Sequence, residues 1–379
     1  MNQNYIFTSE SVTEGHPDKI CDAVSDAILD EYIKHDKNSR VACEVMFADR
    51  TMVIGGEINS KYDIQEQEYI KIAKQVLRNI GYEENQIADI RFIILVNGQS
   101  PEIHNGVDSE NGLGAGDQGI MFGYATNETP NYMPAPLYYS HLISKGITDY
   151  RKENPTAGLL PDGKVQVSMK YKNDIPVEIT DVIISSQHNN QLTLGNLRQF
   201  LKMKVKDIFK ITGNDYTLLE NTKYHINPAG EFHIGGAEGD CGLTGRKIVV
   251  DTYGGACPHG GGAFSGKDAS KVDRSAAYMA RYIAKNLCAA GVDDKITVQL
   301  SYAIGEKEPV SIYVKTKNYS SDKIEKIVLE IFDLTPQGII DCLKLDKPIF
   351  SKTTNYGHFG KEDLPWEKLD KVKEIKGLL

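Results

Sequence analysis

The sequence predicts an α+β fold of three similar ββα-based domains, each a mixed sheet covered by helices. One pattern, two strand-like runs followed by an amphipathic helix, occurs three times. The copies begin at Arg40, Lys164 and Lys295, 124 and 131 residues apart, a nearly constant spacing. The chain has 379 residues, which favours two or three domains over one.

In the first copy Val41 to Phe47 and Met52 to Ile58 read as strands, and Ile64 to Ile80 as a helix with Ile70, Ala73, Val76, Leu77 and Ile80 at helical spacing. In the second, Val165 to Tyr171 alternates, Val177 to Ser186 is a further strand, and Leu194 to Ile211 has helical period. The third offers strands at Ile296 to Ile304 and Val310 to Lys315, then a helix from Ser321 to Phe332. Before the first copy, Thr8 to Gly15 reads as a polar turn. His16-Pro17-Asp18-Lys19 then opens a helix ending near Lys34, with Pro17 suited to the first helical position. Ile20, Val24, Ala27, Ile28 and Tyr32 form its expected buried stripe. Gly98 to Gly119 is long, irregular and poor in apolar residues, and reads as a mobile lid.

Composition narrows the function. Hydrophobic residues make up 40% and charged residues 25%, a globular balance. No run of 18 apolar residues exists, and Met1 to Phe7 lacks the basic start and apolar stretch of a secretory leader, so a cytoplasmic protein with no membrane partner is the simplest reading. The six cysteines are scattered without zinc spacing, and read as reduced structural thiols. A net charge of -9 argues against a nucleic-acid partner, which needs a positive footprint.

Within this acidic chain Arg246, Lys247, Lys267 and Lys271 fall close together. Arg246 and Lys247 suit a polyphosphate, although either alone is more often a surface charge. Gly261 to Lys267 fits G-x-x-x-x-G-K, but Asp268 follows instead of Ser or Thr, so the usual magnesium ligand of a P-loop is missing. Ile248 to Asp251 reads as a strand, and Gly260, Gly261 and Gly262 as backbone that approaches a ligand. Asp273 is a hard oxygen donor suited to magnesium. Gly114 to Gly119 fits G-x-G-x-x-G without the strand and βαβ context of a dinucleotide site, and reads as a lid hinge. His16 and Asp18, at a helix N-terminus, are placed either to meet phosphate or simply to cap the helix. Glu57 follows Gly55-Gly56, which permits close ligand approach, whereas Glu44 fits a salt-bridged strand residue equally well.

Together these segments resemble the S-adenosylmethionine synthetase family. The match runs from Phe7-Thr8-Ser9-Glu10-Ser11-Val12-Thr13-Glu14-Gly15-His16-Pro17-Asp18-Lys19 to Tyr356-Gly357-His358-Phe359-Gly360, with Gly114 to Gly119 and Gly260 to Asp268 similar to the family's two signature segments. The resemblance implies pseudo-threefold symmetry, with domains at 3–101, 115–233 and 234–371 and a gating loop at 99–114. It implies a methionine adenosyltransferase that takes ATP and L-methionine, with Mg²⁺ (two per site) and K⁺. It also implies a homodimer or dimer of dimers with active sites at the subunit interface.

The same resemblance assigns roles. His16, Lys164, Arg246, Lys247 and Lys267 are the catalytic set around the triphosphate. Asp162, Phe232 (stacked on adenine), Asp240 and Ala263 join them in holding ATP. Glu57, Gln99, Asp117, Asp240 and Lys271 hold methionine, Asp18 and Asp273 hold Mg²⁺, and Glu44 holds K⁺. Two positions depart from the family pattern: Glu231 and Pro258 stand where Arg is usual, removing positive charge expected near the polyphosphate. The gating loop is also shorter than in many relatives. Two other readings keep a place: an ATPase or phosphotransferase with a variant phosphate loop, and a nucleotide-binding protein without catalysis.

Overall fold

A computed structural model describes residues 4–98, 108–109 and 112–379. The elements run β1 (Asn4–Val12), α1 (Pro17–His35), β2 (Arg40–Ala48), β3 (Thr51–Asn59), α2 (Glu66–Ile80), α3 (Glu84–Ala88) and β4 (Arg91–Gly98). A short hairpin, β5 (Asp108–Ser109) and β6 (Gly112–Leu113), precedes β7 (Gly119–Thr126), α4 (Ala135–Glu153), β8 (Leu159–Lys172), β9 (Ile175–His188), α5 (Leu194–Ile211) and β10 (Lys223–Ile226). The last third holds β11 (Gly242–Leu243), α6 (Ile248–Asp251), α7 (Val272–Ala289), β12 (Lys295–Tyr302), β13 (Ser311–Lys315), α8 (Ser321–Ile331), α9 (Pro336–Leu343) and α10 (Val372–Leu378).

The three predicted ββα units are present, and each hairpin anchors a sheet. The orders are β11-β2-β3-β4, β1-β8-β9-β10 and β7-β12-β13. In every sheet the first hairpin strand takes an antiparallel neighbour from elsewhere in the chain. In two of them the helix after the hairpin returns to a parallel strand, β4 or β10. Alternation explains the hairpins: Val165, Val167, Met169 and Tyr171 of β8 are buried on one face. The sheets exchange strands across the thirds of the chain, since β1 pairs with β8 and β7 with β12.

Helices α1, α4 and α7 cover β2, β8 and the β7–β12 pair respectively. Apolar packing gathers into two cores, one around α1, α7 and the first and third sheets, the other around α4, α5, β8 and β9. Helix α7 is buried on nearly every side, and its small residues let it come close to β7. A Cβ at Gly123 would lie 2.0 Å from the carbonyl oxygen of Ala280.

Two local expectations fail. The supposed polar turn at Thr8 is part of β1, in register with β8 from Asn4↔Lys172 to Val12↔Lys164. Its buried hydroxyls are satisfied locally, Ser9 by the Gly254 carbonyl at 2.8 Å and Ser11 by His141 Nδ1 at 2.8 Å, so a polar strand is accommodated. Ile248–Asp251 is one helical turn instead of a strand, with Val250 buried and Asp251 drawn to Lys19. Tertiary contacts override the β preference of two adjacent valines.

The feature that positions the site is a ladder of carboxylates on α1. Asp18, Asp22, Asp26 and Asp30 recur every fourth residue and so share a face. They accept backbone N–H groups from Leu243 (2.9 Å), Gly245 (2.8 Å), Gly266 (2.8 Å), and Phe350 with Ser351 (2.9 and 2.8 Å). Cations neutralise the inner rungs. Lys19 bridges Asp22 and Asp251 at 2.9 and 2.6 Å, and Arg274 grips Asp26 through two 2.7 Å bonds, all within the interior. The first three rungs therefore hold the two glycine-rich segments, around 242–246 and 260–267, against α1.

Candidate active site

The first group of charges gathers at the N-terminus of α1. His16 caps the helix, its Nδ1 accepting the Asp18 N–H at 3.2 Å, which leaves Nε2 as the protonated nitrogen of a neutral ring. Burial and the nearby Lys247 ammonium push its pKa down to about 4. His16 is thus both a cap and a neutral donor at physiological pH. Asp18 is 3% exposed, with Lys247 Nζ at 2.5 Å and Arg246 Nε at 3.9 Å. Burial pushes Asp18 up, but the Lys247 bond and the Leu243 N–H outweigh it and hold the carboxyl below its ordinary value.

Lys164 lies close enough for its charge to act on His16, as does Asp240, and it pairs with Glu10 at 2.8 Å. Asp162 accepts the Gly236 N–H at 2.8 Å, and burial pushes its pKa up to about 6. The N–H groups of this first turn are taken by His16 itself, so the helix dipole and the three cations around it are what favour an anion here. Phe232, half-buried, continues from this rim after β10 and receives the His188 N–H on its carbonyl at 2.9 Å.

The second group forms around the start of α7. Lys267 Nζ lies 2.7 Å from Asp273, and Lys271 Nζ 2.5 Å from Asp268. Gly116 donates to the Ser270 carbonyl at 3.3 Å, which brings exposed Asp117 beside this group. Lys267 also bridges to Ala42 on β2, whose cross-strand partner is Glu57, so Glu57 shares this end of the sheet. Ala263 packs on Gly245, where an added Cβ would sit 2.3 Å from its own.

The two groups lie at different places on one edge. Leu243 of β11 faces Met46, whereas Lys267 faces Ala42. Four strand residues separate these points by roughly 13 Å. Among the described residues no ion pair or hydrogen bond joins a charged side chain of one group to the other. Between them the outer face of the sheet carries Glu44, Met46, Val53, Gly55 and Glu57, with Ile93 and Leu95 in register on β4. Among the described residues no helix covers Met46 or Leu95, which are 42% and 58% exposed.

The structure reassigns several residues. Glu231 turns toward His188 and His233, at 3.1 and 3.6 Å, instead of the lysine-rich site. Gly56 lacks a side chain for the sheet's sake, since its φ is +137° and a Cβ would lie 1.9 Å from the Ala42 carbonyl oxygen. Gly262 leaves room for Asp273, whose carboxylate would be 2.2 Å from an added Cβ. The expected hinge glycines Gly114 and Gly116 pack tightly against Gly305 and Ser270. Gln99 and most of the expected gating loop at 99–114 lie outside the described residues. The sequence reading passed over Asp22, Asp26, Asp30, Lys19 and Arg274. Their signal was present in the strict four-residue repeat of Asp on a helix otherwise read as amphipathic.

Comparison with known proteins identifies the family. Models of the N-terminal, central and C-terminal domains of S-adenosylmethionine synthetase match residues 4–101, 112–232 and 234–368. An S-adenosylmethionine synthase of Helicobacter pylori (strain P12) is 51% identical over 386 residues, covering 99% of each chain. That of Sulfurovum sp. (strain NBC37-1) is 52% identical over 390 residues and covers both chains in full. The solved structure of an unusual S-adenosylmethionine synthetase from Campylobacter jejuni superposes with a TM-score of 0.92 at 38% identity, covering 99% of this chain and 100% of that one. With all three domains matched in order along its length, this chain belongs to the S-adenosylmethionine synthetase family.

Proposed function

We infer that this chain is a methionine adenosyltransferase that joins L-methionine to ATP. The methionine sulfur attacks C5′ of the ribose, the C5′–O bond breaks, and its electron pair leaves with the triphosphate. The sulfonium product is S-adenosylmethionine, and the same site hydrolyses triphosphate to pyrophosphate and phosphate. A thioether is already nucleophilic and needs no general base. Rate must then come from alignment and from stabilising charge on the leaving group. The observation that carries this reading is the cation-rich helix start, where neutral His16 stands beside Lys164, Arg246 and Lys247.

In this assignment His16 donates from Nε2 toward the departing oxygen, and Lys164, Arg246, Lys247 and Lys267 hold the polyphosphate. Phe232 stacks on adenine, Asp162, Asp240 and Ala263 help to hold ATP, and Glu57, Gln99, Asp117, Asp240 and Lys271 hold methionine. The family uses divalent metal with ATP. Asp18 and Asp273 suit two Mg²⁺, because both offer carboxylate oxygens beside lysines that also face phosphate. When bound, the metal neutralises polyphosphate charge. Glu44, exposed on the outer sheet face, is assigned to K⁺.

Each complete site draws its first group from one copy and its second from another, within a homodimer or dimer of dimers. Support comes from the separation of the groups along β2 and from the uncovered apolar sheet face between them. Such a face is a surface suited to burial between two copies. The direct test is incubation of the purified protein with ATP, Mg²⁺ and K⁺, with and without methionine, followed by mass spectrometry. Methionine-dependent S-adenosylmethionine with pyrophosphate and phosphate is expected. ADP and phosphate without that product would replace this reading with an ATPase.

A further inference from the structure

We propose that His188, Glu231 and His233 form a binding site for a divalent transition metal of the zinc type, separate from the magnesium positions. One ring nitrogen each of His188 and His233 and a Glu231 carboxylate oxygen lie within 4.8 Å of one another. His188 Nε2 is 3.1 Å, and His233 Nε2 3.6 Å, from the same oxygen of Glu231. Three ligands at about 2.0–2.2 Å around a tetrahedral zinc stand about this far apart.

The hydrogen bonds fix which nitrogens face inward. His188 Nδ1 lies 3.2 Å from the Asn189 carbonyl oxygen, and His233 Nδ1 2.8 Å from that of His188. A carbonyl only accepts, so each Nδ1 carries the proton and each Nε2 presents its lone pair to Glu231. The Phe232 N–H, directed at His188 Nε2 from 3.4 Å, requires the same tautomer. Only that long Phe232 bond offsets the approach of the two imidazole lone pairs to the carboxylate, and a cation that displaced it would be held by all three. Imidazoles that donate their other N–H to backbone carbonyls are the usual supported ligands of a metal.

The donor set selects the ion. Two nitrogens and one oxygen suit Zn²⁺, Ni²⁺ or Co²⁺, whereas Mg²⁺ prefers oxygen alone. His188 is fully buried at the end of β9, while Glu231 and His233 are 51% and 36% exposed, so the open side of the site faces water for a fourth ligand. Glu231 and His233 flank Phe232 in the chain, so the metal ties that residue's backbone to β9.

The test uses the full chain, stripped with chelator and titrated with Zn²⁺ by calorimetry in the presence of excess Mg²⁺. One Zn²⁺ per chain at micromolar affinity or tighter is expected. Co²⁺ in its place should give the visible spectrum of nitrogen and oxygen ligation without a thiolate band. Glu231→Arg alters an exposed side chain and should leave metal-free melting unchanged, whereas His233→Ala also loses the bond to the His188 carbonyl and should melt somewhat lower. Each should weaken binding by more than the ~10–100-fold that loss of an outer-shell partner costs. His35→Ala, which changes an exposed histidine paired with Glu31 elsewhere, should bind as the parent does. No stoichiometric binding, a thiolate band, or undiminished binding in both site variants would each overturn the proposal.

Discussion

Two variants that are each strongly impaired should restore activity when combined. Lys247 belongs to the group at the start of α1, and Lys267 to the group at the start of α7. Each of Lys247→Ala and Lys267→Ala removes one preorganised cation from the leaving-group site, a loss of about 3 kcal/mol or roughly 100-fold in turnover. Both side chains are partly exposed, so the fold should survive. Suppose every site takes its first group from one copy and its second from another. In an equal, freely exchanged mixture, half the first groups and half the second groups are intact. Random pairing then makes about one quarter of all sites wild type, for a dimer or a dimer of dimers alike. The assay is S-adenosylmethionine formation by the two variants refolded together, with mixed oligomers confirmed by two affinity tags. Recovery to about a quarter of parental turnover is expected. Activity no higher than that of either variant alone, in proven mixed oligomers, would show that each chain builds its own site.

Asp26→Asn should cost about 3–5 kcal/mol in denaturant unfolding, because it strands the fully buried Arg274 guanidinium; a loss below about 1 kcal/mol would mean that the ladder is not held by charge. Gly262→Ala should keep the fold yet lower turnover sharply, since its Cβ would displace the Asp273 carboxylate from 2.2 Å; parental kinetics would remove Asp273 from the site. Asp162, with its pKa raised to about 6 by burial, lends stability that is present below the usual carboxylate range and lost as pH rises through that value. Asp162→Asn keeps an oxygen for the Gly236 N–H, so its stability relative to the parent should rise by about 1 kcal/mol between about pH 5 and pH 7.5. An unchanged difference in urea midpoints across that interval would place the carboxyl elsewhere in its titration.

The hairpins and long helices were legible because their burial has a period. Leu194–Ile211 reads at its observed bounds from apolar spacing alone, and β2 and β3 alternate cleanly. What escaped was set by partners far along the chain. β1 is a strand because β8 satisfies it, and α6 is a turn of helix because Lys19 and the core claim its ends. The candidate site residues stood out as charged groups in glycine-rich segments, but their division into two groups did not. That division depends on which β2 residue faces Lys267 and which faces Leu243, a matter of register invisible in a motif. The inner aspartates of α1 were passed over because a polar helical face reads as solvated unless its counterions are known.

The carboxylate ladder also bears on how the chain comes to be folded. Its rungs meet donors 225, 223, 240, and 320 to 321 residues further along. Contacts so distant close late, because the intervening chain must first be ordered. As the chain leaves the ribosome, α1 emerges early with four aspartates on one face and none of these backbone donors yet made. The first third can collapse on its apolar stripe, but its register against the glycine-rich segments waits for residues 243 to 266, and its last rung for Phe350 and Ser351. A chain cut short after the central third would keep a helix whose acidic face has nothing to grip, and would be recognised by its sensitivity to proteases. The phosphate-facing loops can be drawn onto α1 only once the last third of the chain is being made.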